Sequence, residues 1–140
     1  MRLVRVLVVE DRAATTSTLT KQLVAAGHDV IGPARTSEQA IRMAEAHRPA
    51  FAFVDLDIEE QTIALDVTEH LTAALDVNVI ICTARPGLAR QTQTGAVGLI
   101  SKPYALGEAV ASLSIVEALV TGNHSLAAFP PSFELLISPQ

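Results

Sequence analysis

Five short runs of aliphatic residues recur along this chain, each followed by a stretch of helical character. That alternation restricts the folds open to it more than any single motif. LVRVLVV (Leu3–Val9) is β-branched and nearly continuous, as a strand covered on both faces should be. Ala13 to Ala26 then spaces Leu19, Leu23, Val24 and Ala26 as a helix would, and Gly27 supplies the stop. DVIG reads as a second strand. Ser37 ahead of Glu38 predicts a capped second helix over AIRMAEAH, ended by Pro49. AFAFV, NVIICT and VGLIS read as the third, fourth and fifth strands. ALDVTEHLTAAL predicts the third helix, GLARQTQ a short fourth between Gly87 and Gly95, and Leu106 to Val120 the last. Strands alternating with helices imply βαβ units, and right-handed crossovers turn five such strands into a doubly wound α/β fold with a parallel sheet.

The chain has 140 residues, enough for one domain with a sizeable core. Hydrophobic residues are 49% and aromatics only 4%, so the core must be built from Val, Leu, Ile and Ala. A net charge of −5 argues against nucleic acid as a direct partner, because phosphate binding needs clustered Lys and Arg. The single cysteine, Cys82, excludes an internal disulfide, suits a reducing compartment and reads as a small core residue within VIICT. MRLVRVLVVED is broken by Arg5 and ended by Glu10 and Asp11, so it reads as a strand rather than a secretion signal. No apolar run approaches the roughly eighteen residues a membrane span needs. The expectation is a soluble, cytoplasmic protein. His28, His47, His70 and His124 show no ligand spacing and are expected to be exposed or capping.

The chemistry collects at strand ends. In such folds ligands bind beyond the carboxyl ends of the strands, at a switch point in strand order. The first strand runs into Glu10 and Asp11, the third into Asp55, the fourth into Thr83, the fifth into Ser101 and Lys102. Carboxylates brought together repel one another unless a cation compensates, and a hard divalent ion, above all Mg²⁺, answers that need. A carboxylate beside it can attack phosphorus to give an aspartyl phosphate, with Thr83 and Lys102 each bonding a phosphoryl oxygen. In FVDLDIEEQ, Asp55 ends the strand and is the expected nucleophile; Asp57 lies on the loop rim, and Glu59 and Glu60 read as a solvated start of the next loop.

VLVVED, FVDLD, ICTA and SKPY in this order, with GHDVIGPARTSEQAI between the first two strands, resemble the response-regulator receiver domain of two-component signalling. The resemblance covers about Leu3 to Val120. It implies a flavodoxin-like five-stranded sheet in the order 2-1-3-4-5, phosphorylated by a sensor histidine kinase or a histidine phosphotransfer protein. Asp55 matches the phosphoacceptor and Glu10 and Asp11 the acidic pair at Mg²⁺. Asp57 sits where the family uses a backbone carbonyl as a further ligand. Thr83 matches the switch hydroxyl, Lys102 the lysine, and Lys102–Pro103 a candidate cis peptide.

Three departures bear on output. Leu99 stands where the family commonly has an aromatic switch residue, and Tyr104, the only tyrosine, lies elsewhere. The stretch from Thr83 to Lys102 is about one helical turn shorter than usual. That face commonly carries dimerisation and output in the family, so a homodimer is possible without being implied. Residues 1–121 read as the receiver and 122–140 as a tail without an output domain; Met1 running straight into the first strand and the apolar FELLI favour a stand-alone receiver over a fragment. Phe129, Phe133, Leu135, Leu136 and Ile137 make that tail apolar enough to pack on the body, a floppy end being the alternative. Arg85, two past Thr83, and Asp57, two past Asp55, are expected to flank the phosphoryl group. They either form an ion pair across the mouth or stand as two solvated, uncoupled side chains.

The leading function is a signalling module, not an enzyme with a separate substrate, acting by partner binding or as a phosphate sink. The alternatives are a degenerate pseudo-receiver serving as an unphosphorylated scaffold, or an aspartyl-phosphate phosphatase. The latter resembles DxDx[TV], and DLDIE lacks the final Thr or Val.

Overall fold

A computed structural model of the protein describes residues 2–10, 13–58, 60–105, 107–122 and 128–136, with only the helical backbone for 13–17. Asp11, Glu59, Leu106, His124 and Ile137, named above, lie outside the described residues. The elements alternate as the sequence predicts: β1 (Arg5–Val9), α1 (Ala13–Ala25), β2 (Asp29–Ala34), α2 (Ser37–His47), β3 (Phe51–Asp55), α3 (Gln61–Ala73), β4 (Asn78–Thr83), α4 (Gly87–Gln91), β5 (Gly98–Ser101), α5 (Glu108–Val120) and β6 (Phe133–Leu135). The sheet order is β2-β1-β3-β4-β5-β6, the first five strands parallel and β6 antiparallel to β5. The flavodoxin-like order 2-1-3-4-5 is present, but the sheet has six strands where five were expected.

Side chains alternate across the strands, so each buried strand feeds two cores. Leu7, Val9, Ala52, Val54, Val79, Ile81 and Leu99 face one way, onto Ala40 and Ala44 of α2 and Ala64, Leu65 and Leu71 of α3. Val6, Val8, Phe53, Ile80, Cys82 and Ile100 face the other, onto Leu19 and Leu23 of α1 and Ala109, Leu113 and Val116 of α5. Helices therefore cover both faces. Among the described residues no helix is long and apolar enough to cross a membrane.

Local corrections have local causes. Thr36, not Ser37, caps α2: it has extended backbone and its hydroxyl accepts the Gln39 N–H at 3.1 Å. The third helix starts at Gln61, three residues ahead of the apolar periodicity that suggested Ala64, because its first turn faces the sheet end rather than the core. His28 is buried rather than exposed: its Nδ1 accepts the Val4 N–H at 3.2 Å beside the start of β2. His47 and His70 are exposed as expected.

β2 bulges between its pairings with Leu7 and Val9. Gly32 makes this possible, with φ of 103° and a missing Cβ that would fall 2.8 Å from the Val8 carbonyl oxygen and the Ala34 nitrogen. The shifted register brings the Ala34 carbonyl to the Glu10 N–H at 2.8 Å, which anchors the first residue past β1. Both Gly32–Pro33 and Lys102–Pro103 are cis, the second as anticipated.

β6 accounts for the apolar tail. Phe133 is buried, and its ring stands where Gly98 would otherwise carry a side chain: a Cβ there would meet the ring at 2.4 Å. Arg90 of α4 holds the Glu134 carboxylate through Nε at 3.0 and 3.1 Å, and Glu108 of α5 accepts from Ser132. Phe129 stacks edge-on to Phe133, centroids 5.3 Å apart.

Candidate functional site

The site lies at the switch in strand order between β1 and β3, whose following helices, α1 and α3, cover opposite faces of the sheet. Backbone bonds carry the ladder past each strand end and so fix the side chains there. The Leu56 N–H donates to the Cys82 carbonyl at 3.0 Å, which holds Asp55, and the Lys102 N–H donates to the Thr83 carbonyl at 2.9 Å. Asp55 faces Cys82 in register, and Thr83 faces Ser101. Glu10, Asp55 and Thr83 are all buried, at 2%, 4% and 0% exposure.

Lys102 reaches back over this edge. Its Nζ lies 2.8 Å from Asp55 Oδ2 and 3.3 Å from Asp57 Oδ2. Burial disfavours its charge, but the bond to Asp55 and the two carboxylate charges outweigh that and raise its pKa above the ordinary lysine value. Asp55 Oδ1 also accepts the Asp57 N–H at 2.8 Å, closing a tight turn after β3.

Asp57 is neither on a solvated rim nor paired with Arg85. Its carboxylate accepts the Thr83 hydroxyl at 2.8 Å and the Ala84 N–H at 2.9 Å, besides the Lys102 contact. Burial opposes its charge, but the Ala84 amide, the Thr83 hydroxyl and the Lys102 ammonium together hold its carboxyl below the usual value. Arg85 is exposed, and among the described residues its side chain makes no ion pair. Its contribution is through the backbone: its N–H donates to Thr83 Oγ1 at 3.0 Å. Both expectations for the Asp57–Arg85 couple therefore fail, since Asp57 is coupled, but inward.

Gln61 is the residue sequence reasoning missed. From the first turn of α3 its Nε2 lies 3.0 Å from Thr83 Oγ1, 3.3 Å from the Arg85 carbonyl and 3.4 Å from Asp57 Oδ1. A helix begun at Gln61 rather than Ala64 would have put it beside the strand ends. Glu60, one residue earlier, is exposed as expected. Leu99 is fully buried in the core beneath α3, and Tyr104 is partly buried against the opposite core. Cys82 is buried below the site. Burial raises its thiol pKa, with the Asp55 and Glu10 charges adding to the effect.

A divalent cation fits the chemistry of the donors. The buried carboxylates of Glu10 and Asp55 follow paired residues of adjacent strands, Val9 and Val54, and offer only hard oxygen ligands. Among the described residues no three His, Cys, Asp or Glu side chains form a complete metal cluster. Asp11, the further acid expected there, is outside them.

A buried acid at a switch point, with a hydroxyl closing the next strand and a lysine directly after the one beyond, defines an α/β signalling domain of the receiver type. The family model described as the response regulator receiver domain matches residues 6–114, and the chain belongs to that family. Receiver domains generally bind Mg²⁺ at the acidic pocket and work with histidine kinases and protein partners. The chain is 23% identical over 114 residues to the transcriptional regulatory protein PdtaR of Mycobacterium tuberculosis, covering 79% of this chain and 55% of that protein. It is 30% identical over 129 residues to the virulence transcriptional regulatory protein PhoP of Salmonella typhimurium, covering 90% and 56%. The chain thus spans about half the length of these curated relatives. Among solved structures, the signal receiver domain of a modulated diguanylate cyclase from Desulfovibrio desulfuricans superposes with a TM-score of 0.73 at 28% identity, covering 82% of this chain and 94% of that one. The chemotaxis response regulator CheY4 of Vibrio cholerae shares the fold, with a TM-score of 0.72 at 18% identity over 82% and 99%.

Proposed function

We propose that this chain is a phosphorylation-dependent receiver. Asp55 accepts a phosphoryl group from a phosphohistidine of a sensor histidine kinase or a phosphotransfer protein. An Asp55 oxygen attacks phosphorus, the phosphorus–nitrogen bond breaks, and the imidazole leaves with the electron pair. The observation that carries this reading is the Asp55 carboxylate itself. It is almost fully buried at a strand end, with one oxygen 2.8 Å from the Lys102 ammonium nitrogen. A carboxylate oriented by an amide and an ammonium in a protected place is a prepared nucleophile.

Glu10 and Asp11, with the Asp55 carboxylate and the Asp57 backbone carbonyl, are the groups to hold Mg²⁺. The ion supplies neutralisation of charge on the oxygens of the transferring group. Lys102 stays with the phosphoryl group as a fixed cation, and Thr83 supplies a hydroxyl for another of its oxygens. The modified protein acts by binding a partner or by draining phosphate from its donor.

Incubation with Mg²⁺ and a small acyl phosphate, read by intact mass, tests this. The wild type gains one phosphoryl mass and Asp55→Asn does not. Equal gain in Asp55→Asn would remove the assignment.

A further inference from the structure

Thr83 has one proton to give, and Asp57 already has it. The hydroxyl donates to Asp57 Oδ1 at 2.8 Å, while its lone pairs accept from Gln61 Nε2 and the Arg85 N–H, each at 3.0 Å. The residue is fully buried beneath these partners. The Ala84 N–H donates to Asp57 Oδ2 at 2.9 Å, and the Lys102 ammonium is shared between Asp55 and Asp57. One carboxylate thus holds a hydroxyl, a backbone amide and an ammonium, which is a donor set suited to a small oxyanion.

We infer that Asp57 is a resident occupant of the phosphoryl-oxygen site and a positioning residue for the reaction: its carboxylate takes the three donors that a phosphoryl group on Asp55 needs, and modification must expel it. The inference rests on the phosphoacceptor reading above. The turn after β3 makes the occupancy possible, because the Asp57 N–H bonds Asp55 Oδ1 and brings both carboxylates to one ammonium. An incoming dianionic group outcompetes a monoanion for these donors, and repulsion from it drives Asp57 outward. Gln61, bonded to the same hydroxyl and within 3.4 Å of Asp57, loses its arrangement at the same moment. Expulsion is therefore transmitted to the first turn of α3. Leu99, buried and without a ring, has no part in this route.

The test is a titration of the intact chain with beryllium fluoride in Mg²⁺, which mimics the phosphoryl group on a carboxylate. Asp57→Ala, with the donors vacated, binds about tenfold more tightly than wild type, the worth of about one charge-assisted bond. Asp57→Asn falls between, because its amide oxygen still accepts from Thr83 and Ala84. In the wild type the Asp57 carboxyl ¹³C resonance, the Ala84 amide and the Gln61 side-chain amide all move on saturation, a readout that needs no variant. Affinity of Asp57→Ala within about twofold of wild type overturns the inference, as do stationary resonances. Equal tightening in the Asn and Ala variants assigns the effect to charge alone and overturns occupancy. No binding by wild type or by Asp57→Ala, or binding that Asp55→Asn leaves intact, overturns the phosphoacceptor reading itself.

Discussion

At His28 one ring nitrogen is used and the other is not. Nδ1 accepts the Val4 N–H, so Nε2 carries the proton of the neutral ring, buried and, among the described residues, without a hydrogen-bond partner. Burial lowers its pKa. A histidine depressed in the folded state is neutral in both states well above its unfolded pKa of about 6.5. As pH falls below that value the unfolded chain takes up the proton first, so stability is lost until the folded pKa is passed. Unfolding midpoints of the wild type should drop between about pH 7.5 and about pH 5.5, and the drop should be smaller in His28→Asn. An identical drop in both would assign the slope to other groups. The same scale shows what the residue pattern conceals. Asp55, Thr83 and Lys102 are legible because each is a polar group closing or directly following an apolar strand. The place of Gln61 and the inward contacts of Asp57 are not, because a helix start and a turn aim them, and both sit among other polar residues.

Among the elements, β6 is the least predictable and the most specific in its packing. Three residues form a strand only because Gly98 leaves room for the Phe133 ring and because Arg90 and Glu108 hold residues on either side of it. Phe133→Ala should cost about 3 kcal/mol, as for a buried aromatic. Gly98→Ala places a methyl where the ring stands, and should loosen β6. The Leu136 and Ser101 amides, bonded to Val97 and Ser132 carbonyls, should then exchange faster with solvent. In the double variant the clash is gone, so the two costs should not add. Additive losses would mean that the ring does not occupy the glycine's space. At α2 the cap is a simpler matter: Thr36→Ala should lower stability by about 1 kcal/mol, measured by urea unfolding.

For the molecule as a whole, β6 decides how the sheet ends. Without it β5 would present an unpaired edge, a template for another chain. Truncation after Gly122 should therefore lower the unfolding midpoint and increase self-association, measured by sedimentation at several concentrations. A truncated chain as stable and as monodisperse as the full one would show that the strand adds little. The two cores on either side of the sheet do not depend on β6 in the same way, because the inner strands β1, β3 and β4 are covered by α1, α2, α3 and α5.

The alternation of strand and helix, the parallel sheet, the strand ends carrying Glu10, Asp55, Thr83 and Lys102, and the cis Lys102–Pro103 bond could all be read from the chain. Hydrophobic period and polar strand termini are local properties, and the family resemblance supplied the strand order and the peptide geometry. Tertiary structure decided what depends on separated residues meeting. Phe133 becomes a strand residue only where Gly98 makes space for it. Thr36 rather than its neighbour caps α2 because its backbone is the extended one. Asp57 turns away from Arg85 because the inward position offers a hydroxyl, an amide and an ammonium already held in place, whereas the exposed guanidinium offers one solvated, screened charge.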